Sequence, residues 1–332
     1  MTGNDFTFHW LLEDENPGVR YLTLRDIVQL PDDDPELQVA KERAHREGPI
    51  ATILDAMHPD GFWDKPGAGY SGKYKSGVWS LIMLAQLGAT VDMDERLLVA
   101  CQYSMDHALS ETGQFSTDGT SSGTIDCLQG NLIAALLDLG CDDHRLDLAM
   151  DWMARSITGD GIAPFKDKKS DQNYFLWNCG PVFACRANNN LPCSWGGTKE
   201  LLALGKIPVN KRTPQVEKAI QVAVDFFFTI DPLKADYPTR LGGKPDPRWW
   251  KLGFPVFYVT DILQLIEALV GVGCARDPKL ANAINFIENK QDENGRWNLE
   301  YDYKTWHKFG TIGQPNKWVT LRAAKVLRQV FE

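Results

Sequence analysis

The sequence predicts an all-α protein built as an (α/α)6 toroid, a closed ring of six inner helices surrounded by about six outer helices. Apolar helical segments start near residues 19, 77, 125, 193, 254 and 317, so they recur at similar intervals. More polar segments with a single apolar stripe lie between them. Alternation of Val, Ile and Thr with a period of two residues is scarce, which argues against a β-sheet.

The apolar segments are the predicted inner helices. Each is hydrophobic nearly all round, as expected of a helix that other helices surround. Most of them end close to a glycine, at residues 88, 140, 205 and 273, and a glycine after the last apolar residue is a common helix stop. The predicted inner segments are 19–30, 77–87, 125–139, 193–204, 254–272 and 317–330.

The polar segments are the predicted outer helices, each the partner of a neighbouring inner helix. Their apolar residues follow one stripe, so one face packs on the ring and the other faces water. They cover residues 35–47, 97–109, 146–157, 214–228 and 278–290. We therefore expect residues 1–16 to form an N-terminal lead-in and residues 17–332 to form a single toroid domain.

A short motif recurs where an outer helix passes to the next inner helix. In its fullest form it is Gln291, three residues, Gly295, one residue and Trp297. Looser copies keep the glycine and an aromatic residue at 61–63 and 113–115, and only the glycine at 161. The recurrence indicates that one structural unit repeats along the chain.

The charge balance excludes some classes of partner. Asp and Glu number 44 and Lys and Arg 35, so the net charge is −9. Such a chain is poorly suited to nucleic acid phosphates or anionic lipid. The start of the chain is polar and acidic rather than basic and apolar, and no uncharged run is long enough to span a membrane. Seven cysteines in no short framework fit a reducing cytoplasm. The sequence leaves a homo-oligomer possible.

The motif and the alternating helix pairs resemble the squalene–hopene cyclase and protein prenyltransferase superfamily. The match is carried by Gln291, Gly295 and Trp297 and by the organisation from about residue 17 onward. The resemblance implies an (α/α)6 toroid in which such motifs tie each outer helix to the next inner helix, with the Gln capping helix ends and the Trp stacking on it. Within that superfamily the chain looks most like small single-toroid bacterial or archaeal proteins of unassigned activity.

The departures from the superfamily bear on activity. Triterpene cyclases protonate their substrate with an Asp-x-Asp-Asp motif, and the nearest acidic runs here, 92–95 and 32–34, are expected to be solvated charges. Protein prenyltransferases bind zinc through Asp-x-Cys and a distant His. In this chain Asp126 is followed directly by Cys127, and only residues 166–169 offer a Lys-rich stretch for a diphosphate.

Four residues near the starts of inner helices are candidates for moving protons. Asp126 is either a first-turn acid stabilised by the helix dipole or a general acid–base group at the cavity mouth. Cys127 is either a small core residue or a thiol activated by the helix N-terminus. Tyr258 and Asp261 are three residues apart, so on one helix they share a face and form a donor–acceptor pair. Otherwise Asp261 caps a loop and Tyr258 fills the core.

Cysteine and histidine supply the remaining catalytic candidates. Cys193 begins an inner helix, and Arg186 lies seven residues before it, so a thiolate there is chemically plausible. A buried structural cysteine is the alternative. His307, in a polar loop before the last inner helix, is a base, a metal ligand or an exposed residue.

Large aromatic residues cluster at the starts of the predicted inner helices. A cage of ring faces stabilises a developing carbocation or holds a flat apolar ligand. The set assigned to substrate binding, with Arg186 as its polar member, is Trp79, Trp177, Arg186, Trp195, Phe254 and Trp318.

These features favour a terpene-cyclase-like enzyme that needs no cofactor. The reaction would be a lyase, isomerase or cyclase step on a small or medium apolar, isoprenoid-like substrate in a central aromatic-lined cavity. Walker, dinucleotide-binding, His-Glu-x-x-His and Gly-x-Ser-x-Gly motifs are absent from the sequence. Two alternatives stay open. One is a zinc enzyme with Cys127, His307 and one of Cys179, Cys185 or Cys193 as ligands, and the other is a non-catalytic toroid that binds lipid or protein.

Overall fold

The computed structural model describes residues 4–161, 163, 164, 173, 174, 178–240, 242 and 244–332. Over these residues the chain is all-α, as the sequence predicts. Helices alternate along the chain between an inner and an outer position. Trp177 and the Lys-rich stretch 166–169 lie outside the described residues.

Six helices form the inner ring. They are α2 (Pro17–Thr23, continued by a π-helical turn Leu24–Val28), α5 (Gly77–Gln86), α7 (Asp126–Leu139), α9 (Ser194–Lys206), α11 (Ile262–Gly271) and α13 (Lys317–Phe331). Five of the six agree with the predicted segments to within a few residues at each end. The exception is α11, which begins at Ile262, eight residues after the predicted start at Phe254. The residues before it are bends and coil, in line with Pro255, whose ring and missing N–H disfavour a helix there.

Six helices lie outside the ring, and one further short helix connects an outer helix to the next inner helix. The outer helices are α1 (Asn4–Leu11), α3 (Pro35–Arg46), α6 (Glu95–Ala108), α8 (His144–Thr158), α10 (Pro214–Phe227) and α12 (Ala281–Glu288). The short helix α4 (Pro49–Asp55) joins α3 to α5. Each outer helix packs against an inner neighbour, for example α6 on α5 and α8 on α7.

The inner helices close into a ring. Along the chain α5 packs on α7, α7 on α9, α9 on α11, α11 on α13, and α13 returns to α2. The last gap is filled by Tyr21 and Leu22 of α2, which lie against Gly88 at the end of α5. Because Gly88 has a φ of +80° and touches Leu22, a side chain there would be strained and would also clash.

The closest approach in the ring is between α7 and α9, where glycines replace side chains. A Cβ at Gly130 of α7 would lie 2.1 Å from the carbonyl carbon of Lys199. A Cβ at Gly196 of α9 would lie 2.8 Å from the Cβ of Asp126. The two backbones therefore meet where Asp126, Lys199 and Glu200 are located.

Tryptophans of the recurring motif tie outer segments to inner ones. The indole Nε1 of Trp297 donates to the carbonyl of Ile287 on α12, 2.8 Å away, while its backbone N–H donates to the hydroxyl of Thr320 on α13. Trp63 repeats the first bond, donating to the carbonyl of Ile53 on α4 at 2.7 Å. Gln291 is exposed on the surface.

The described strands are very short. Ala163–Pro164 (β1) pairs in parallel with Asn173–Tyr174 (β2), and Ala184–Cys185 (β3) pairs antiparallel with Leu191–Pro192 (β4). All seven cysteines lie in the described part of the chain and are free thiols. Among the described helices, none has the length and apolar character needed to cross a membrane.

Candidate active site inside the ring

A cavity of about 340 Å³ opens at the end of the ring where the inner helices finish. All six inner helices contribute to its wall, mostly through their middle and C-terminal turns. Aliphatic side chains and glycines share the wall about equally with polar and charged side chains. The stacked rings of Phe254 and Trp318, 4.7 Å apart, form one side of it. Its volume lies in the range of small-molecule binding sites.

Charged residues at the cavity are paired with one another. Lys325 lies 2.9 Å from a carboxylate oxygen of Asp26, Arg25 lies 2.6 Å from the other, and Lys206 lies 2.6 Å from Asp138. Burial opposes ionisation of Asp26, yet its bonds to Arg25 and Lys325 lower its pKa to about 2. These pairs neutralise the mouth of the cavity, which therefore does not form a basic funnel.

An ion-pair network forms part of the cavity wall. Arg322 binds both oxygens of Asp261 and both oxygens of Glu267, each at 3.1 Å. Asp261 also accepts from the hydroxyl of Tyr301 at 3.0 Å and from the backbone N–H of Gln264 at 2.8 Å. Asp261 is fully buried, and all of its bonding capacity is directed at the protein. The structure therefore gives it the role of N-cap of α11 and anchor of Arg322.

The predicted pairing of Tyr258 with Asp261 on one helix face is wrong. The helix begins only at Ile262, so Tyr258 lies in the non-helical segment before it. The phenol that bonds Asp261 is that of Tyr301, from the segment that precedes α13.

Lys199 is the most unusual charged group in the ring. It lies in the middle of α9 and is completely buried, and its Nζ donates to Oε1 of Gln264, a residue of the cavity wall. Burial lowers the pKa of Lys199 to about 7, although the charge of Asp261 opposes this shift. An amine with this pKa exchanges protons readily near neutral pH.

Aromatic residues collect at the opposite end of the ring. Trp79 and Tyr258 lie 6.3 Å apart, ring centre to ring centre, and Trp195 lies 6.2 Å from Tyr258. The Nζ of Lys73 sits 4.2 Å above the Tyr258 ring, a cation–π contact. Two residues of the predicted set, Trp79 and Trp195, therefore assemble around Tyr258, but away from the cavity. The cavity wall contains two others, Phe254 and Trp318.

The predicted catalytic acid Asp126 is on α7, away from the cavity wall. Its carboxylate, the thiol of Cys179 and the carboxylate of Glu200 have ligand atoms within 4.8 Å of one another. Cys127, the next residue, is half-buried, and burial raises the pKa of its thiol to about 12. Cys193 is the N-cap residue of α9 and is half-buried, and burial together with the neighbouring thiol of Cys185 raises its pKa.

The other predicted site residues lie apart from these groups. His307 is half-buried in the loop before α13, with its ring 5.1 Å from that of Phe309, and burial lowers its pKa. Arg186 is exposed in a short 3₁₀ turn. Among the described residues, Asp126, Cys179 and Glu200 make up the only cluster of three His, Cys, Asp or Glu ligand atoms this close together. Cys127 and His307 are not members of it, so the described residues do not assemble the zinc ligand set that the sequence offered as an alternative.

Sequence reasoning missed Lys199, Glu200, Gln264, Tyr301 and Arg322. A signal for two of them was available, because Lys199 and Glu200 interrupt the apolar segment 193–204 and a charge inside an inner helix needs a partner. Tyr301 and Arg322 had no comparable signal, since their partner Asp261 is distant in sequence.

The chain was compared with known proteins. No protein-family model and no curated protein matches the sequence. The similar solved structures include two variants of the type II terpene cyclase MstE from Scytonema, both in complex with geranylgeranyl dihydroxybenzoate as substrate. The first is 14% identical, covers 88% of this chain and 96% of its own, and has a TM-score of 0.34. The second is 12% identical, covers 88% and 97%, and has a TM-score of 0.35. The similarity is remote.

Proposed function

We propose that this protein is an enzyme that moves a proton on a small or medium apolar substrate held in the central cavity, with Lys199 as the acid–base group. The observation that carries the proposal is a fully buried lysine just behind the cavity wall, whose hydrogen-bond partner, Gln264, lines the cavity. The proposal requires the side chain of Gln264 to turn aside, so that Nζ of Lys199 reaches the substrate. The reaction class that fits is an isomerase, lyase or cyclase step, because each needs a proton removed or added in a water-poor site.

We infer the class of substrate from the chemical character of the residues in the cavity wall. Aliphatic side chains and the Phe254–Trp318 pair supply apolar surface, while the amides of Asn131 and Gln264 offer donors and acceptors for one oxygen atom. The cavity cations Arg25, Lys206 and Lys325 are already paired with carboxylates. This favours an uncharged terpenoid alcohol or carbonyl compound over a prenyl diphosphate, in line with the resemblance to the cyclase superfamily.

Proton transfer at Lys199 balances without a cofactor. The neutral amine accepts a proton from the substrate and becomes an ammonium ion, which then returns a proton to another atom of the substrate. Gln264 holds Nζ through its side-chain oxygen and so fixes the position of the amine. The ion-pair network of Asp261, Arg322 and Glu267 supplies a fixed field beside it.

The test is turnover of terpenoid alcohols, aldehydes and alkenes in deuterated buffer, with products analysed by gas chromatography and mass spectrometry. We expect product that carries deuterium, and kcat/KM that rises with pH through about 7 as Lys199 loses its proton. The variant Lys199→Met should be slower by about 100-fold or more, the range for loss of a general acid–base group. Lys218→Met, which changes an exposed lysine of α10, is the matched control.

Two results would contradict the proposal. One is an unmodified protein that binds these ligands but neither converts nor deuterates any of them, which would indicate a binding toroid instead. The other is Lys199→Met with unchanged kcat/KM and an unchanged pH profile.

A further inference from the structure

A second set of functional groups lies at the crossing of α7 and α9, outside the cavity. Asp126 is the first residue of α7, Cys179 is in the loop after α8, and Glu200 is in the middle of α9. Their exposed fractions are 2%, 1% and 0%. One oxygen of each carboxylate and the sulfur all lie within 4.8 Å of one another. None of the three lines the central cavity.

Among the described residues, the carboxylate oxygens of this cluster make no hydrogen bond of normal geometry, and the nearest polar neighbours of Asp126 are the Cys179 thiol and the backbone of Gly180. Both side-chain oxygens of Asp126 and both of Glu200 are buried without a hydrogen bond in the part of the chain that the structure describes. Buried carboxylates are normally paired or hydrogen-bonded, because leaving one unsatisfied away from water is strongly unfavourable. Two adjacent cases indicate that something other than a protein group belongs between them.

The nearest lysine in sequence, Lys199, does not point into this cluster. Lys199 precedes Glu200, but consecutive residues of a helix point in directions roughly 100° apart. The Nζ of Lys199 accordingly binds Gln264, on the cavity side. The sulfur of Cys179 is also in contact with the hydroxyl of Ser156, 3.1 Å away.

We propose that Asp126, Cys179 and Glu200 bind one zinc ion that fastens α7, α9 and the loop after α8 together. Two carboxylate oxygens with one thiolate form a mixed donor set. Mg²⁺ and Ca²⁺ prefer oxygen ligands alone and Cu⁺ prefers sulfur, whereas Zn²⁺ accepts both. Ser156 then orients the thiolate from the second layer of contacts.

The charges of the cluster agree with a bound cation. Burial raises the pKa of Asp126, of Glu200 and of the Cys179 thiol, and the charge of Asp126 adds to the shift of Glu200. Without a cation the three groups therefore retain protons. A zinc ion displaces those protons, so binding strengthens as the pH rises.

This site differs from the zinc ligand set that the sequence offered as an alternative. Its ligands come from three separate segments, include no histidine, and do not use Cys127. Because it is closed to solvent, we expect it to act on stability rather than on substrate.

The test is metal binding by the full chain after chelator treatment, with Co²⁺ as a spectroscopic probe and Zn²⁺ as competitor. We expect about one ion per chain, a thiolate-to-cobalt charge-transfer band, and loss of the band when Zn²⁺ is added. Zn²⁺ should also raise the melting temperature of the protein. This measurement needs no variant and no substrate, so it stands apart from the proposed proton transfer.

Variants locate the site. Cys179→Ser should abolish the charge-transfer band, and Glu200→Gln should weaken zinc binding by more than about 100-fold, beyond the loss seen when only a second-layer partner is removed. Cys274→Ser, which changes a half-buried thiol after α11, should leave both unchanged. The proposal fails if the unmodified chain binds no Co²⁺ or Zn²⁺, if the band survives in Cys179→Ser, or if it disappears in Cys127→Ser instead.

Discussion

At the scale of single residues, Lys199 shows how burial turns an ordinary surface residue into a reactive one. In water a lysine has a pKa of 10.5, but in the centre of α9 its value falls to about 7 because the charged form loses its solvent. The hydrogen bond to Gln264 holds the amine without restoring its charge. The same shift that suits Lys199 to the proposed proton transfer also lowers the stability of the fold at neutral pH.

That cost predicts a pH dependence of stability. Between pH 7 and pH 10.5 the unfolded chain holds a proton on Lys199 that the folded chain has largely lost. The free energy of unfolding therefore rises with pH in this range, by up to about 1.4 kcal/mol per pH unit. Lys199→Met should remove this rise, and near neutral pH it should be as stable as the unmodified chain or more stable.

Urea unfolding of both proteins at about pH 7.5 and about pH 9 measures the effect. The cysteines titrate in the same pH range in both proteins. The difference between the two proteins in the rise of the free energy of unfolding therefore reports Lys199 alone. Lys218→Met should keep the full rise, since its amine is exposed. A rise of equal size in Lys199→Met would show that the buried amine keeps its ordinary pKa.

At the scale of helices, the crossing of α7 and α9 determines where the residues of both proposed sites lie. Gly130 lets the backbone of α9 come close, and this approach sets Lys199 toward the ring axis and Glu200 toward Asp126. Two adjacent residues of α9 thus belong to the two proposed sites: Lys199 contacts Gln264 of the cavity wall, and Glu200 lies in the buried acid cluster. A change in the crossing is expected to disturb both.

Gly130→Ala tests this packing. The added methyl group would lie 2.1 Å from the carbonyl carbon of Lys199, so the helices must separate. We expect a loss of about 3 kcal/mol in the free energy of unfolding, measured by urea denaturation. Gly77→Ala is the matched control, because the nearest atom to its added Cβ is 4.0 Å away and the residue begins a helix.

A Gly130→Ala protein of nearly unchanged stability would contradict the close crossing of α7 and α9. The control should change stability by about 1 kcal/mol or less in either direction. If Gly130→Ala falls within that same range, the two helices are farther apart than the structure has them.

At the scale of the whole molecule, the ring is closed and not an open stack. The last inner helix, α13, packs on both α11 and α2 and contributes Trp318 and Arg322 to the cavity. In an open solenoid each repeat touches only its neighbours, and loss of one end leaves the rest folded. In a ring, removal of α13 opens the cavity to water from the side.

A chain that ends after residue 316 tests closure. We expect hydrogen exchange to become faster throughout the inner helices, including α5, α7 and α9, which do not neighbour α13. A chain that ends after residue 330 lacks only the exposed Phe331 and Glu332 and should keep its protection. Retained protection of α5 to α9 in the shorter chain would indicate an open solenoid.

The helices could be read from the sequence because each depends on local signals. The predicted segment 125–139 becomes α7, and 317–330 becomes α13, with Gly140 as the stop of α7 and Asn316 as the N-cap of α13. The segment 254–272 was extended too far, because apolar residues before Ile262 are buried without being helical. Hydrophobic runs alone do not separate a buried helix from a buried extended segment.

The residues of the cavity and of the buried acid cluster could be predicted from the sequence only in part. Aromatic residues and acids at helix starts are visible in sequence, and Phe254 and Trp318 do line the cavity. The partner of a buried group is not visible, because Asp261 finds Tyr301 and Arg322, and Asp126 finds Cys179 and Glu200, across long stretches of chain. The spacing of residues in sequence carries no information on such contacts.

The sequence by itself determined the fold class, the alternation of inner and outer helices and the positions of most helix ends, because hydrophobic periodicity, caps and glycine stops act over one or two turns. Only the tertiary structure decided which end of the ring holds the cavity and which charges are buried together. Those outcomes depend on how six helices pack around one axis, and above all on the close approach of α7 and α9 at Gly130 and Gly196. Burial then sets the chemistry, since the same lysine or carboxylate behaves differently once water has been removed from it.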